Sequence, residues 1–376
     1  MVKLQSKPLH NLCILVCFLV NISFGLIDLK QSTDCFIYMG GVGGYFFDRY
    51  RLDGIETHGD ISIEGIIDFE SIIGSAFVNS SGYKAIRYKQ FSLPFVPYFY
   101  YLETDNVMAR IYVYRLYAKY QMTNSSLDVG FQRIPFGVGR LWNPTDKYNP
   151  VNALSMEPSE RLGVFGINYI NYLSDLSVFQ VITNFKRELQ VDKVGLKYKS
   201  FLFGMDIGLS YIRSQDFIMN GIELETNVLE TGIEARTELA YIDDFYFNRR
   251  YTRGIIGIDY AFPFMLNLAI EYFYNGLGSD NKLFYDPTVL HDDNWNLAKH
   301  YLGLVLSYSI DPLTSTMFSS IFNLVDGSWF SGITLAYSLN DNANFAIGSS
   351  LYFGDYSSEF GSGYKSSYYF KMSQYF

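Results

Sequence analysis

Arg133, Arg140 and Asp146 fall within one short stretch, Gln132-Arg-Ile-Pro-Phe-Gly-Val-Gly-Arg-Leu-Trp-Asn-Pro-Thr-Asp-Lys-Tyr-Asn-Pro150, with Glu157, Glu160 and Arg161 just beyond it. Opposed fixed charges on a folded loop create a transverse field, which orients a passing polar solute without covalent chemistry. The local sequence favours order. Pro135 breaks an extended run, Gly137 and Gly139 permit conformations that other residues resist, and Asn143-Pro144 and Asn149-Pro150 favour turns. Trp142, one of 3 tryptophans, is an available anchor. The expectation is an ordered loop over 137–161 that leaves the top of a strand and folds inward. Arg133, Arg140, Trp142, Asp146, Glu157 and Arg161 would then line a constriction. The competing expectation is a loop clamped to a rim by Trp142, with its charges solvated.

Reaction chemistry has little support elsewhere. Beyond the N-terminal segment, histidine occurs at His58, His291 and His300. His291-Asp-Asp293 could pair an imidazole with carboxylates for acid–base work, but no second acid cluster or Gly-framed serine completes it. A solvated acidic loop or a weak divalent-cation site explains it better. Gly40-Gly41-Val42-Gly43-Gly44 is read as part of a first strand, where glycines ease bending, rather than as a cofactor loop. Phosphate loops, Cys/His zinc spacing and basic aromatic patches are absent from the sequence. No catalytic residue, cofactor or metal ligand is expected.

The elements that must hold the loop show in the hydropathy pattern. Leu266, Leu268, Ile270, Tyr272 and Tyr274 alternate with Asn267, Ala269, Glu271 and Phe273, and 302–308, 333–338 and 368–376 repeat the pattern. In a strand this period places one set of side chains on each face. Many such segments, with aromatics at their ends, describe a barrel whose outside meets lipid and whose inside meets water. The composition agrees: Tyr 33 and Phe 32 among 376 residues, 49% hydrophobic, and a mean hydropathy of only +0.04. Tyr-rich girdles suit the two membrane interfaces, because each ring carries a polar tip.

Residues 1–25 read as a secretory signal peptide, with Lys3 and Lys7 before the apolar run Leu12–Phe24 and small residues at Ser23 and Gly25. Residues 26–376 are then the barrel, exported through the periplasm to a Gram-negative outer membrane. Cys35 is the one cysteine of that segment, so no disulfide forms within it. The net charge of -9 disfavours nucleic-acid partners.

Strands counted backwards from Phe376 alternate between short turns and long loops, and every long connection falls at the same end. The count is about 18, with 16 as the alternative. It takes Phe36–Tyr50 as the first strand, and Ile61–Phe69 and Ile72–Val78 as a hairpin turning near Glu70-Ser71. Too few residues precede it for a plug domain. Charges on the lipid face would cost about 2–4 kcal/mol each near the midplane for Lys or Arg, so the alternation sends them inward. The inward set includes Arg115, Lys119, Lys193, Lys197 and Arg236. Its acids include Glu64, Asp68, Asp128, Asp206, Glu223, Glu225, Glu234, Glu238, Asp259 and Glu271. They either fill the interior as acid–base ladders or face a hydrated pore of mixed to acidic character.

The stretch Arg133-Ile-Pro-Phe-Gly-Val-Gly-Arg-Leu-Trp-Asn-Pro-Thr-Asp146 resembles the R-x-x-W-G-x-G-x-x-x-N-P-x-D segment of large porin-like outer-membrane barrels, including relatives of the alginate-export type. Phe136 stands where those proteins often carry Trp. The terminal Phe376 is similar to the C-terminal signal read by the barrel-assembly machinery, with Tyr368, Phe370 and Met372 in place and Gln374 departing from it. The resemblance implies contact with outer-membrane lipid and lipopolysaccharide, and passive diffusion of small hydrophilic solutes. Polysaccharide export, or a non-conducting structural or adhesion barrel, are the alternatives. An acid-leaning interior departs from the basic one expected of an alginate exporter.

Overall fold

The computed structural model describes residues 28–40, 43–80, 83–84, 98–149, 161, 163–186, 189–290, 294–361 and 366–376. The segment 1–25, Glu157, Glu160 and His291-Asp-Asp293 lie outside the described residues. Among the described residues one antiparallel sheet carries nineteen strands, β1 to β19 in chain order, from β1 (Asp28–Gly40) to β19 (Ser367–Tyr375). Eighteen of them close a barrel, each paired with its sequence neighbours, and β1 pairs with β19 to shut it. Closure leaves no unpaired edge, which is what a spanning sheet requires in lipid.

The exception is β4 (Tyr98–Glu103). Strand β5 (Val107–Gln121) pairs along one edge with β3 (Ile61–Ile73). Its other edge is shared: β6 (Ser125–Gln132) takes residues 116–121, and β4 takes 108–112. Strand β6 is short because the chain leaves the wall at Arg133.

One end of the barrel carries turns of two to five residues, such as 59–60, 203–204 and 341–342. The other end carries the long connections 74–106, 133–163, 276–299 and 354–366. The start of the sheet differs from the reading above. Gly40 and Gly43 have φ of 126° and 106° and form the turn of a hairpin between β1 and β2 (Tyr45–His58), so no single strand runs from 36 to 50. Residues Ile61–Ile73 form one strand, and Ser75–Val78 is a helical turn, α1. Glu70 and Ser71 make no turn, because Glu70 faces inward to Arg110 across β5. The hairpin adds a strand and the single strand Ile61–Ile73 removes one, so the total stays at eighteen around the barrel.

The outer face is apolar along the strands: Ile61, Ile63, Leu196, Leu209, Ile256, Ile258, Ile333 and Ile347 are all exposed. Two apolar clusters lie inside. One joins Ile134, Phe136 and Tyr148 of the 133–163 loop to Ile182, Ile212, Met219, Ala240, Ile242 and Tyr251 of the wall. The other joins Leu141 and Trp142 to Ile255, Phe273, Tyr301, Ile321, Phe330 and Phe360. The loop therefore lies along the inner wall.

Candidate functional site

Register fixes which wall residues meet the loop. On β11 (Phe217–Asn227), β12 (Ile233–Asp244), β13 (Arg249–Ala261) and β14 (Leu266–Asn275), Glu223, Glu238 and Glu271 share the inner face with Glu234, Arg236 and Asp259. The carboxylates take the loop's backbone. The Gly137 N–H donates to Glu223 at 3.0 Å and the Val138 N–H to Glu238 at 2.9 Å. Arg140, Leu141 and Trp142 all donate their N–H to Glu271, at 2.9, 3.2 and 2.9 Å. The Thr145 N–H and hydroxyl both reach Glu238. Lys197 of β9 (Val191–Leu202) balances Glu223 at 2.8 Å.

The wall makes room for this. A Cβ on Gly195 would meet the Tyr148 hydroxyl at 2.6 Å, and one on Gly221 would meet the Thr145 methyl at 2.6 Å. A Cβ on Gly303 would meet the Trp142 ring at 2.8 Å and collide with Leu141. The Trp142 ring stacks on Phe273, centroids 5.0 Å apart, and its N–H donates to Asn296 at 3.2 Å.

The expected constriction residues divide into two groups. Arg140 points into the lumen half exposed, 2.9 Å from Asp259 and 3.5 Å from Glu234. Asp259 is also bound by the buried Arg236. Arg133 is exposed and makes no hydrogen bond or ion pair among the described residues. Trp142 and Asp146 are only 4% and 1% exposed, so neither lines a passage. Asp146 instead knots the loop: it accepts the Tyr148 and Asn149 N–H groups and pairs with Arg161 at 3.1 Å. Burial pushes its carboxyl up to about 7, against the pull of the Asn149 N–H, Arg161 and the Tyr148 N–H.

The lumen charges divide in the same way. Arg115 is buried; it donates to the Arg161 carbonyl at 2.6 Å and lies over the Tyr114 ring, so it ties the end of the loop rather than facing water. Glu271 is likewise used up by the loop. Lys119 stands opposite Asp128, and Asp206 lies 3.5 Å from Lys199.

A further charged group, outside the expected lumen residues apart from Asp68, lies on the strands next to the closure. A cross-strand row runs Ser373–Asp34–Arg49–Glu70–Arg110 over β19, β1, β2, β3 and β5. Asp34 accepts from Arg49 at 2.5 Å and Ser373 at 2.6 Å, and lies 3.3 Å from Lys371. Below it, Arg51 grips Asp68 with two bonds, at 2.7 and 2.8 Å. A turn at Gly40–Gly44 would have exposed this row in the sequence.

A second buried carboxylate, Glu359, fixes the 354–366 connection. Glu359 accepts the Leu297 N–H at 2.9 Å, the Tyr301 hydroxyl at 2.5 Å and the Asn323 amide at 2.7 Å. Burial pushes its carboxyl up to about 7.

No family model matches the chain, and no curated protein matches it. Solved structures do. Acinetobacter baumannii OccAB1 is 10% identical with a TM-score of 0.59, covering 93% of this chain and 96% of its own. The outer membrane protein OpdK of Pseudomonas aeruginosa is also 10% identical with a TM-score of 0.59, covering 93% and 98%. Pseudomonas aeruginosa OccK2 (OpdF) in complex with glucuronate is 10% identical with a TM-score of 0.57, covering 93% and 96%. At this identity the likeness is one of fold: a closed antiparallel barrel of eighteen strands. The resemblance to alginate-export barrels finds no support among these structures.

Proposed function

We propose that this chain is an outer-membrane channel for passive diffusion of small hydrophilic solutes. The observation that carries the reading is the 137–149 loop, folded into a closed barrel and hydrogen-bonded to Glu223, Glu238 and Glu271, with Arg140 presented to the lumen. A loop held inside a barrel narrows it, and a narrowed, charged passage selects by size and field. The fold shared with OpdK and with OccK2, the latter solved with glucuronate, supports a small polar solute over a polymer.

Arg140, Glu234 and Asp259 form the charged part of the passage in this reading, and Arg133 stands free to join them. Asp206 and Lys199 extend it towards the turn end. Lipid and lipopolysaccharide surround the apolar outer face, and Phe376 is the assembly signal. The chain acts as a channel and not as an enzyme.

Purified barrel in a planar bilayer provides the test. Discrete single-channel steps, with a reversal potential in a salt gradient that shifts when Arg140 is replaced by Ala, are the expected result. A folded barrel that gives no steps at any voltage would sink the channel reading and leave a non-conducting structural or adhesion role.

A further inference from the structure

We infer that the wall residues Glu223, Glu238 and, foremost, Glu271 are positioning residues that hold the constriction loop by its main chain, so that they set the width of the passage while Arg140 of the loop, with Glu234 and Asp259, sets its charge. The inference rests on the channel reading above.

The loop's side chains anchor it only in part. Leu141 and Trp142 fill apolar space, but the turn that carries Arg140 is fixed by three consecutive N–H groups converging on one carboxylate. Consecutive N–H groups point the same way only in a tight bend, and such a bend is a receptor for an anion. Here the wall supplies the anion. Glu271 is 1% exposed, and its cross-strand neighbours on β13 and β15 (His300–Ser309) are Gly257 and Gly303. Gly303 leaves room beside the carboxylate for the side chains of Leu141 and Trp142, and the space over Gly257 is taken by the Arg236 side chain. Glu238 repeats the arrangement one station earlier, taking the Val138 and Thr145 N–H groups on different oxygens.

This division has a functional consequence. A main-chain N–H is offered by every residue except proline, so the latch does not depend on which side chains the loop carries. Position 140 can therefore change its charge without moving the loop, whereas losing the Glu271 acceptor moves the loop without changing the charge at position 140.

The test replaces Glu271 by Gln in the purified barrel. The amide keeps the volume, but with its oxygen turned to the Leu141 and Trp142 N–H groups its NH2 faces the Arg140 N–H, so the bond that holds the Arg140 backbone is lost. A nitroxide at Val138→Cys, with Cys35 changed to Ser, reports loop motion without reference to conduction. The expected result is a conductance raised by at least about 1.5-fold with greater current noise, a more mobile label, and heat-modified migration on gels like that of the parent. Arg140→Ala should do the reverse, shifting ion selectivity while label mobility stays put. Equal conductance and equal label mobility in Glu271→Gln and parent would overturn the inference. Should the parent barrel itself fail to conduct, the channel reading falls, and label mobility alone still decides whether Glu271 positions the loop. If Glu271→Gln does not fold, Glu238→Gln is put through the same measurements and judged by the same outcomes.

Discussion

Glu271 on β14 and Gly303 on β15 are direct cross-strand partners, and the 133–163 loop uses both: the carboxylate takes its N–H groups, and the missing side chain gives Leu141 and Trp142 their place. Acceptor and clearance are two halves of one seat.

Gly303→Val should therefore unseat the loop from the clearance side. Overpacking of this kind costs about 1–3 kcal/mol, and here it falls on the loop because the strand is held by both neighbours. The expected outcome is a red-shifted tryptophan emission as Trp142 leaves its stack on Phe273, with an intact barrel on unheated gels. Unchanged emission would show that the loop has other room to settle.

Arg140→Ala leaves Glu234 and Asp259 facing the lumen with one less cation nearby. Permeability should move towards cations, by about twofold in the potassium-to-chloride ratio at low salt, and less as salt screens the field. Reversal potentials across a KCl gradient measure it. A shift towards anions would contradict the placement of Arg140.

Asp34→Ala should weaken the barrel at its closure. Asp34 on β1 holds Arg49 on β2 and both Lys371 and Ser373 on β19. Its removal sets two cations side by side on a largely buried wall, at a cost of about 3–5 kcal/mol. Urea unfolding of the refolded barrel should show the loss; a midpoint within error of the parent would mean the seam is held by its backbone ladder alone.

Glu359 predicts a pH dependence of the 354–366 connection. Its carboxyl, ordinarily near 4.5, stands at about 7 when buried, so the docked loop binds the proton more tightly than the undocked one. Docking is fully stabilised below the ordinary value, and that stabilisation is lost as pH rises through about 7, by about 3 kcal/mol in all. The Glu359 and Phe360 amides, bonded to Asp326 and Ser328, should exchange faster with deuterium at pH 8 than intrinsic rates require. Glu359→Gln should abolish the excess. Protection that grows with pH would reverse the sign and refute the assignment.

Much of this was legible in the sequence because a barrel wall is periodic. Leu266 to Tyr274 and Leu302 to Tyr308 announce their two faces residue by residue, and the inward charges follow from parity. The first hairpin was not legible, since Gly40 to Gly44 can be either bent strand or turn, and positive φ leaves no mark in composition. The inward loop was recognisable from Pro135, the glycines and the Asn-Pro pairs. Its seat was not: nothing local tells that Glu271 is neutralised by backbone while Glu234 faces water, or that Asp146 turns back on Tyr148 and Asn149. Those are long-range pairings, and Arg140 meets Asp259 and Glu234 only because four strands bring them round.

The shortness of β6 carries a further consequence. By leaving the wall at Arg133 to form the loop, the chain gives up part of its own fence, and β4 mends it by pairing with residues 108–112 of β5. Constricting loop and patch are thus obliged to coexist. Deleting 98–103 would strip the β5 edge at Arg110 and Tyr112 of its backbone partners and open a sideways window, through which membrane and interior would exchange molecules without ever passing the constriction.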